Sequence, residues 1–105
     1  MFISREGNLV TLINVFETEP EQQQALIDQW IRFVQAEVEN EPGLIGTALH
    51  KSTDGTRVIN YAQWRSEEEY ANFVKKSIRP IAPSLASRVD PHLYEVVYLT
   101  ERAES

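Results

Sequence analysis

Four stretches of alternating side chains and two of helical periodicity occur in the order strand, helix, strand, strand, helix, strand. They predict an α+β fold: a ferredoxin-like βαββαβ chain whose antiparallel sheet carries both helices on one face. Two further observations support the order. Asp54-Gly55 falls between the two middle strands as a tight-turn signal, and a Thr/Ser-x-x-Glu box stands ahead of each helical stretch. With 105 residues the chain is read as a single domain, 1–105, with a core over about 9–99 and a polar tail at 101–105.

Asn8 to Phe16 alternates Val10, Leu12, Asn14 and Phe16 against Leu9, Thr11, Ile13 and Val15, and both sets are mainly apolar, so the first strand is expected to be buried on both faces. Thr18-Glu19-Pro20-Glu21 reads as a capping box with a proline suited to the first turn, so a helix is expected from there through Asn40, ended by Pro42-Gly43. Its apolar stripe is Leu26, Ile27, Trp30, Phe33, Val34 and Val38, and Gln23, Gln24, Asp28, Gln35 and Glu39 form the wet face. Gly43 to Ser52 predicts the second strand, with Leu44, Gly46, Ala48 and His50 on one side and Ile45, Thr47, Leu49 and Lys51 on the other. Thr56 to Arg65 predicts the third, with Val58, Asn60, Ala62 and Trp64 opposite Ile59, Tyr61, Gln63 and Arg65.

Ser66-Glu67-Glu68-Glu69 is the second capping box, and Tyr70, Phe73 and Val74 continue a helix to about Lys76. Pro80 and Pro83 interrupt the next stretch, where a short helix or turns are expected. His92 to Thr100 predicts the last strand. The helix-free face of the sheet would then carry Ile13, Val15, Ile45, Leu49, Ile59, Tyr61, Tyr94, Val96 and Tyr98, too apolar to face water. A two-fold homodimer packed through that face is the expected solution.

The absence of cysteine excludes disulfides, thiolate metal sites and a cysteine nucleophile, and two histidines are too few for a histidine metal cluster. A net charge of -6 disfavours nucleic acid and anionic membranes as partners. No apolar run reaches the roughly 18 residues of a membrane span, and Met1-Phe2-Ile3-Ser4-Arg5 lacks signal-peptide features, so a cytoplasmic protein is expected. On the helix-covered face Gly46, Ala48 and Ala62 are too small to fill the gap to the helices, while Asn14, His50, Asn60 and Trp64 point polar groups into it. That combination describes a pocket with apolar walls, among them Phe16, and a few hydrogen-bonding groups, which either bond the backbone or await a ligand.

Asn60-Tyr61-Ala62-Gln63-Trp64 followed by Arg65-Ser66, Tyr70 and Phe73, with Asn14 on the first strand and Pro42-Gly43 before the second, resembles the antibiotic biosynthesis monooxygenase (ABM) family over about residues 9 to 99. The resemblance implies a dimeric ferredoxin-like α/β barrel and, in the polyketide branch, an oxygenase that uses neither metal nor flavin. Such enzymes turn anthrones into anthraquinones with O2. It further implies that Asn60 and Trp64 stabilise a substrate anion, that Asn14 belongs to the same site, and that Tyr70 lies near the substrate. It also implies an arginine after the second helix, for which Arg88 is the better match and Arg79 the competitor. His50 is the one side chain of the set belonging to a residue type whose unperturbed form exchanges a proton near neutral pH, which makes it the candidate base.

Each residue has a plainer reading. Asn60 and Asn14 would bond backbone, Trp64 and Tyr70 would be core, and His50 would be structural or exposed. His92 is expected to face solvent or the dimer seam. Two other functions stand beside the oxygenase. One is a non-enzymatic dimer that binds a small hydrophobic metabolite. The other is a haem-degrading enzyme, which the lack of histidine on the second helix disfavours.

Overall fold

The computed structural model describes residues 9–77 and 84–100. The elements run β1 (Val10–Glu17), α1 (Gln23–Phe33) continued by a π-helical turn (Val34–Val38), β2 (Leu44–Lys51), β3 (Arg57–Trp64), α2 (Glu67–Lys76) and β4 (Arg88–Tyr94). The four strands form one sheet in the order β2-β3-β1-β4, every neighbouring pair antiparallel. This is the predicted ferredoxin-like α+β arrangement.

The core lies between this sheet and the helices. Phe16, Leu26 and Val58 are wholly buried in it, with Leu12, Trp30, Phe33, Ala62, Trp64 and Phe73 nearly so. Aromatic rings link the two helices across it. Trp30 packs on Phe16 and Phe33 at centroid distances of 4.9 and 5.0 Å, and Phe73 packs on Phe33 at 6.3 Å and on Trp64 at 5.3 Å.

The second capping box behaves as its sequence predicts, with the Ser66 hydroxyl accepting from Glu69 N at 3.1 Å. Three glutamates in the first turn of α2 and two lysines in the last complement the helix dipole. The first box does not cap. Thr18 N donates to Thr56 O at 2.9 Å and the Thr18 hydroxyl donates to Leu85 O at 2.5 Å, so this residue still belongs to the sheet end and α1 starts one turn later. The start of α1 is instead tied to the β2–β3 hairpin by Gln23, whose Nε2 donates to Ser52 O and Arg57 O at 3.1 and 2.9 Å. Gln23 was expected on the wet face and serves as a tether. The hairpin itself forms as Asp54-Gly55 predicts, with Gly55 at φ 81° and the Asp54 carboxylate accepting from Thr56 N, Thr56 Oγ1 and Ser52 Oγ at 2.7 to 3.0 Å.

Two predicted segments shift. The last strand spans Arg88 to Tyr94 rather than His92 to Thr100, because β1 pairs with it from Glu17↔Arg88 to Thr11↔Tyr94. Pro91, which the alternation pattern does not admit, is accommodated because β4 is an edge strand. The proline-rich stretch 78–83, including Arg79, lies outside the described residues.

The second difference is a register shift in β2. Leu44 pairs with Trp64 but Gly46 pairs with Gln63, so Ile45 is an extra residue and the alternation reverses beyond it. Directly paired residues of an antiparallel ladder share a face. Thr47 and Leu49, opposite Ala62 and Asn60, therefore turn toward the helices, while Gly46, Ala48 and His50, opposite Gln63, Tyr61 and Ile59, turn to the helix-free side. The expected faces of β2 are corrected from Gly46 onward. Leu49 leaves the helix-free set and Ala48 joins it.

Candidate functional site

A cleft opens between the sheet and the helices, with about 540 Å3 of empty space counted out to its mouth. Leu12, Asn14, Thr47, Asn60 and Ala62 form its floor, Trp30, Phe33, Val34 and Val38 one wall, and Tyr70, Phe73, Val74 and Ser77 the other. The π-helical turn sits in that first wall. Its Glu39 N to Val34 O bond, at 2.9 Å, closes a wider ring than an α-helix does.

Asn14 and Asn60 are cross-strand partners, 2% and 5% exposed, so two amides lie side by side in an apolar surround. The Thr47 hydroxyl donates to Asn60 Oδ1 at 2.8 Å. That is the one hydrogen bond of the Asn60 side chain among the described residues; it fixes the amide oxygen and leaves the NH2 without a partner. Thr47 reaches Asn60 only because the register shift in β2 turns it to this side. Three buried side-chain polar atoms among the described residues lack a hydrogen-bond partner: Asn14 Oδ1, Trp30 Nε1 and Trp64 Nε1. Buried polar atoms are rarely left unpaired, and two of these three belong to residues that line the cleft.

The structure brings Asn14, Asn60, Ala62 and Tyr70 together, as the sequence predicts. Trp64 is not a lining residue. Its ring stands behind the second wall, stacked on Phe73 at 29° and edge-on to Tyr70 with centroids 5.7 Å apart, so it shapes the wall that Tyr70 and Phe73 present. Phe16 is fully buried beneath Trp30 and also does not line the cleft. His50 is exposed and on the helix-free face, where it has no access to the cleft. Arg88 is likewise on that face, its side chain 64% exposed, 3.8 Å from Glu17 and 3.6 Å from Asp90. His92, with Nε2 2.9 Å from Asp90 Oδ1, lies beside them with its side chain 61% exposed. No group of three His, Asp or Glu residues among the described residues is placed to hold a metal ion.

Sequence reasoning missed two residues. Strict alternation puts Thr47 on the wrong face, and helical spacing gives Trp30 only as one of a stripe of core residues. Trp30 also lines a second, more open hollow, with about 430 Å3 of empty space counted out to its mouth, together with Ile31, Val34, Gln35, Glu39, Thr47, Leu49 and Asn60.

Fold and site together define a small α+β domain with paired amides in an apolar cleft under the sheet. The family model described as antibiotic biosynthesis monooxygenase matches residues 9–77, and the chain belongs to that family. Tetracenomycin-F1 monooxygenase of Streptomyces glaucescens is 41% identical over 68 residues, which are 65% of this chain and 61% of that protein. The chain therefore spans about three fifths of the length of that relative. A Streptomyces coelicolor monooxygenase solved in complex with nanaomycin D superposes with a TM-score of 0.67 at 23% identity, covering 91% of this chain and 93% of that one. A Shewanella loihica protein superposes at 0.69 with 25% identity, covering 90% and 99%. No helix among the described residues is long and apolar enough to cross a membrane.

Proposed function

We propose that this chain is a monooxygenase that oxidises an electron-rich, anthrone- or hydroquinone-like aromatic with O2, without metal or flavin. The observation that carries the reading is the Asn60 amide, in an apolar cleft with its oxygen held by Thr47 and no partner for its NH2 among the described residues. A donor fixed in this way stabilises a negative oxygen far better in an apolar surround than in water. Triplet O2 reacts slowly with closed-shell molecules, but an aromatic enolate or phenolate gives it an electron readily. The two radicals combine into a peroxide at the reacting carbon. Where that carbon is a CH2, loss of water then leaves a carbonyl, so one oxygen atom enters the product and the other departs as water with the two hydrogens.

The names of the Streptomyces glaucescens relative and of the ligand in the Streptomyces coelicolor structure support an aromatic substrate. The same reading includes a homodimer through the helix-free face, where Ile13, Val15, Ile59 and Tyr61 are half-buried and Tyr94 exposed. Neither histidine faces the cleft, so the haem alternative finds no imidazole among its described lining residues. The test is oxygen uptake by chelator-treated, flavin-free protein across a panel of phenolic tricyclics. Consumption of one O2 per quinone formed is expected; tight binding without any uptake would establish a non-catalytic binding module instead.

A further inference from the structure

The main cleft and the second hollow share four lining residues, Trp30, Val34, Thr47 and Asn60, which mark the junction between them. Two of these carry N–H donors with no partner among the described residues, the Asn60 NH2 and the Trp30 indole. Contacts of Trp30 with Phe16 and Phe33 explain a large aromatic ring at this position but not its nitrogen. That nitrogen is a buried donor, and an unsatisfied buried donor is destabilising. Trp64, four residues beyond Asn60 on the same strand, has the same unpartnered nitrogen but lies behind Tyr70 and Phe73.

We propose that Trp30 is a ligand-binding residue whose indole N–H, together with the Asn60 amide, holds one oxygen atom of an aromatic ligand at the junction of the two hollows. The assignment rests on the aromatic-substrate reading above but not on turnover. The indole N–H has no hydrogen-bond partner among the described residues and is enclosed, so a small displacement of the ring brings it to an oxygen seated at the junction. The ligand's ring system then occupies the main cleft, against the apolar walls, and its substituents extend toward Leu49 and Glu39 in the second hollow.

The test compares two probes of similar shape, 1,4-naphthoquinone, which carries acceptor oxygens, and naphthalene, which carries none. Dissociation constants are measured by equilibrium dialysis on the native protein and on Trp30→Phe. The variant is expected to bind the quinone about tenfold more weakly, the worth of roughly one hydrogen bond, and naphthalene unchanged. Its unfolding midpoint is expected to fall, because the smaller ring leaves part of a buried site unfilled, and naphthalene controls for that loss of packing. A second measurement needs no variant fold: the Trp30 indole N–H signal in a 15N correlation spectrum, assigned with Trp64→Phe, moves downfield with the quinone and not with naphthalene. Equal weakening of both probes, or an indole signal indifferent to the quinone, overturns the assignment. If the native protein binds neither probe, the aromatic reading fails and the assignment fails with it.

Discussion

Thr47→Val removes the hydroxyl that orients the central amide while keeping the shape of the side chain. In the native protein that hydroxyl donates to Asn60 Oδ1 at 2.8 Å, and Asn60 is 5% exposed. The variant leaves a buried amide oxygen without its donor, which costs roughly 1 to 3 kcal/mol when no water replaces it. Thr47 itself is half-buried at the cleft, where water enters, so the low end applies, about 1 kcal/mol. For a domain of this size that lowers the melting midpoint by about 4 to 8 °C. Urea unfolding is the assay, with the midpoint falling at an unchanged slope. With the amide no longer held, its two orientations become comparable, and the fraction presenting NH2 to the cleft drops to roughly half. Oxygen uptake should therefore fall only about twofold, far less than on loss of the amide itself. Thr47→Ser should restore both. A Thr47→Val protein as stable as the native one would refute the claim that this bond orients Asn60.

Asn60→Ala should lower kcat by on the order of 100-fold with little change in KM, because the donor acts mainly once charge develops; steady-state oxygen uptake separates the two constants. Gly55→Ala should destabilise by about 1 to 2 kcal/mol in denaturant unfolding, since Gly55 sits at φ 81° and an added Cβ would come within 3.1 Å of Pro20. The hydroxyl and N–H of Thr56, and then the Ser52 hydroxyl, hold the Asp54 carboxyl at about 2, below its ordinary 3.8. A depressed folded value means this contribution is present above pH 3.8 and lost as pH falls through 2. A carbon-detected NMR titration should find that midpoint, and Asp54→Asn should flatten this part of the acid limb. Sedimentation equilibrium should give a dimer, and Tyr61→Glu on the helix-free face should shift it toward monomer.

The strand and helix order was readable because period-two and period-3.6 patterns are set by which side of an element meets the core, and both helices here are amphipathic. The Ser66 cap was readable because its partner, Glu69 N, is three residues away. The Thr18 box has the same local signature, but longer-range bonds to Thr56 and Leu85 claim its groups first. Asn14 and Asn60 were recognisable as polar residues on an otherwise apolar face, and their register pairing puts them side by side. His50 failed for a different reason: alternation counted from Leu44 assumes an unbroken ladder, and nothing in Leu44-Ile45-Gly46 announces the extra residue. Trp30 was hidden by its own packing, since a tryptophan in a helical stripe looks the same from sequence whether its nitrogen is partnered or not. Arg88 was placed by analogy of position and lies on a strand edge beside Glu17 and Asp90.

The looped-out residue at Ile45 decides which side chains of β2 enter the cleft. Deleting that one codon would remove the bulge and leave Thr47 opposite Ala62 and Leu49 opposite Asn60, so the chamber would keep the hydroxyl that steadies its amide. Threading the same residues through an unbroken ladder would instead turn Ala48 and His50 into the cavity, an imidazole in place of that hydroxyl. One extra residue thus separates two chemically different chambers built on the same scaffold.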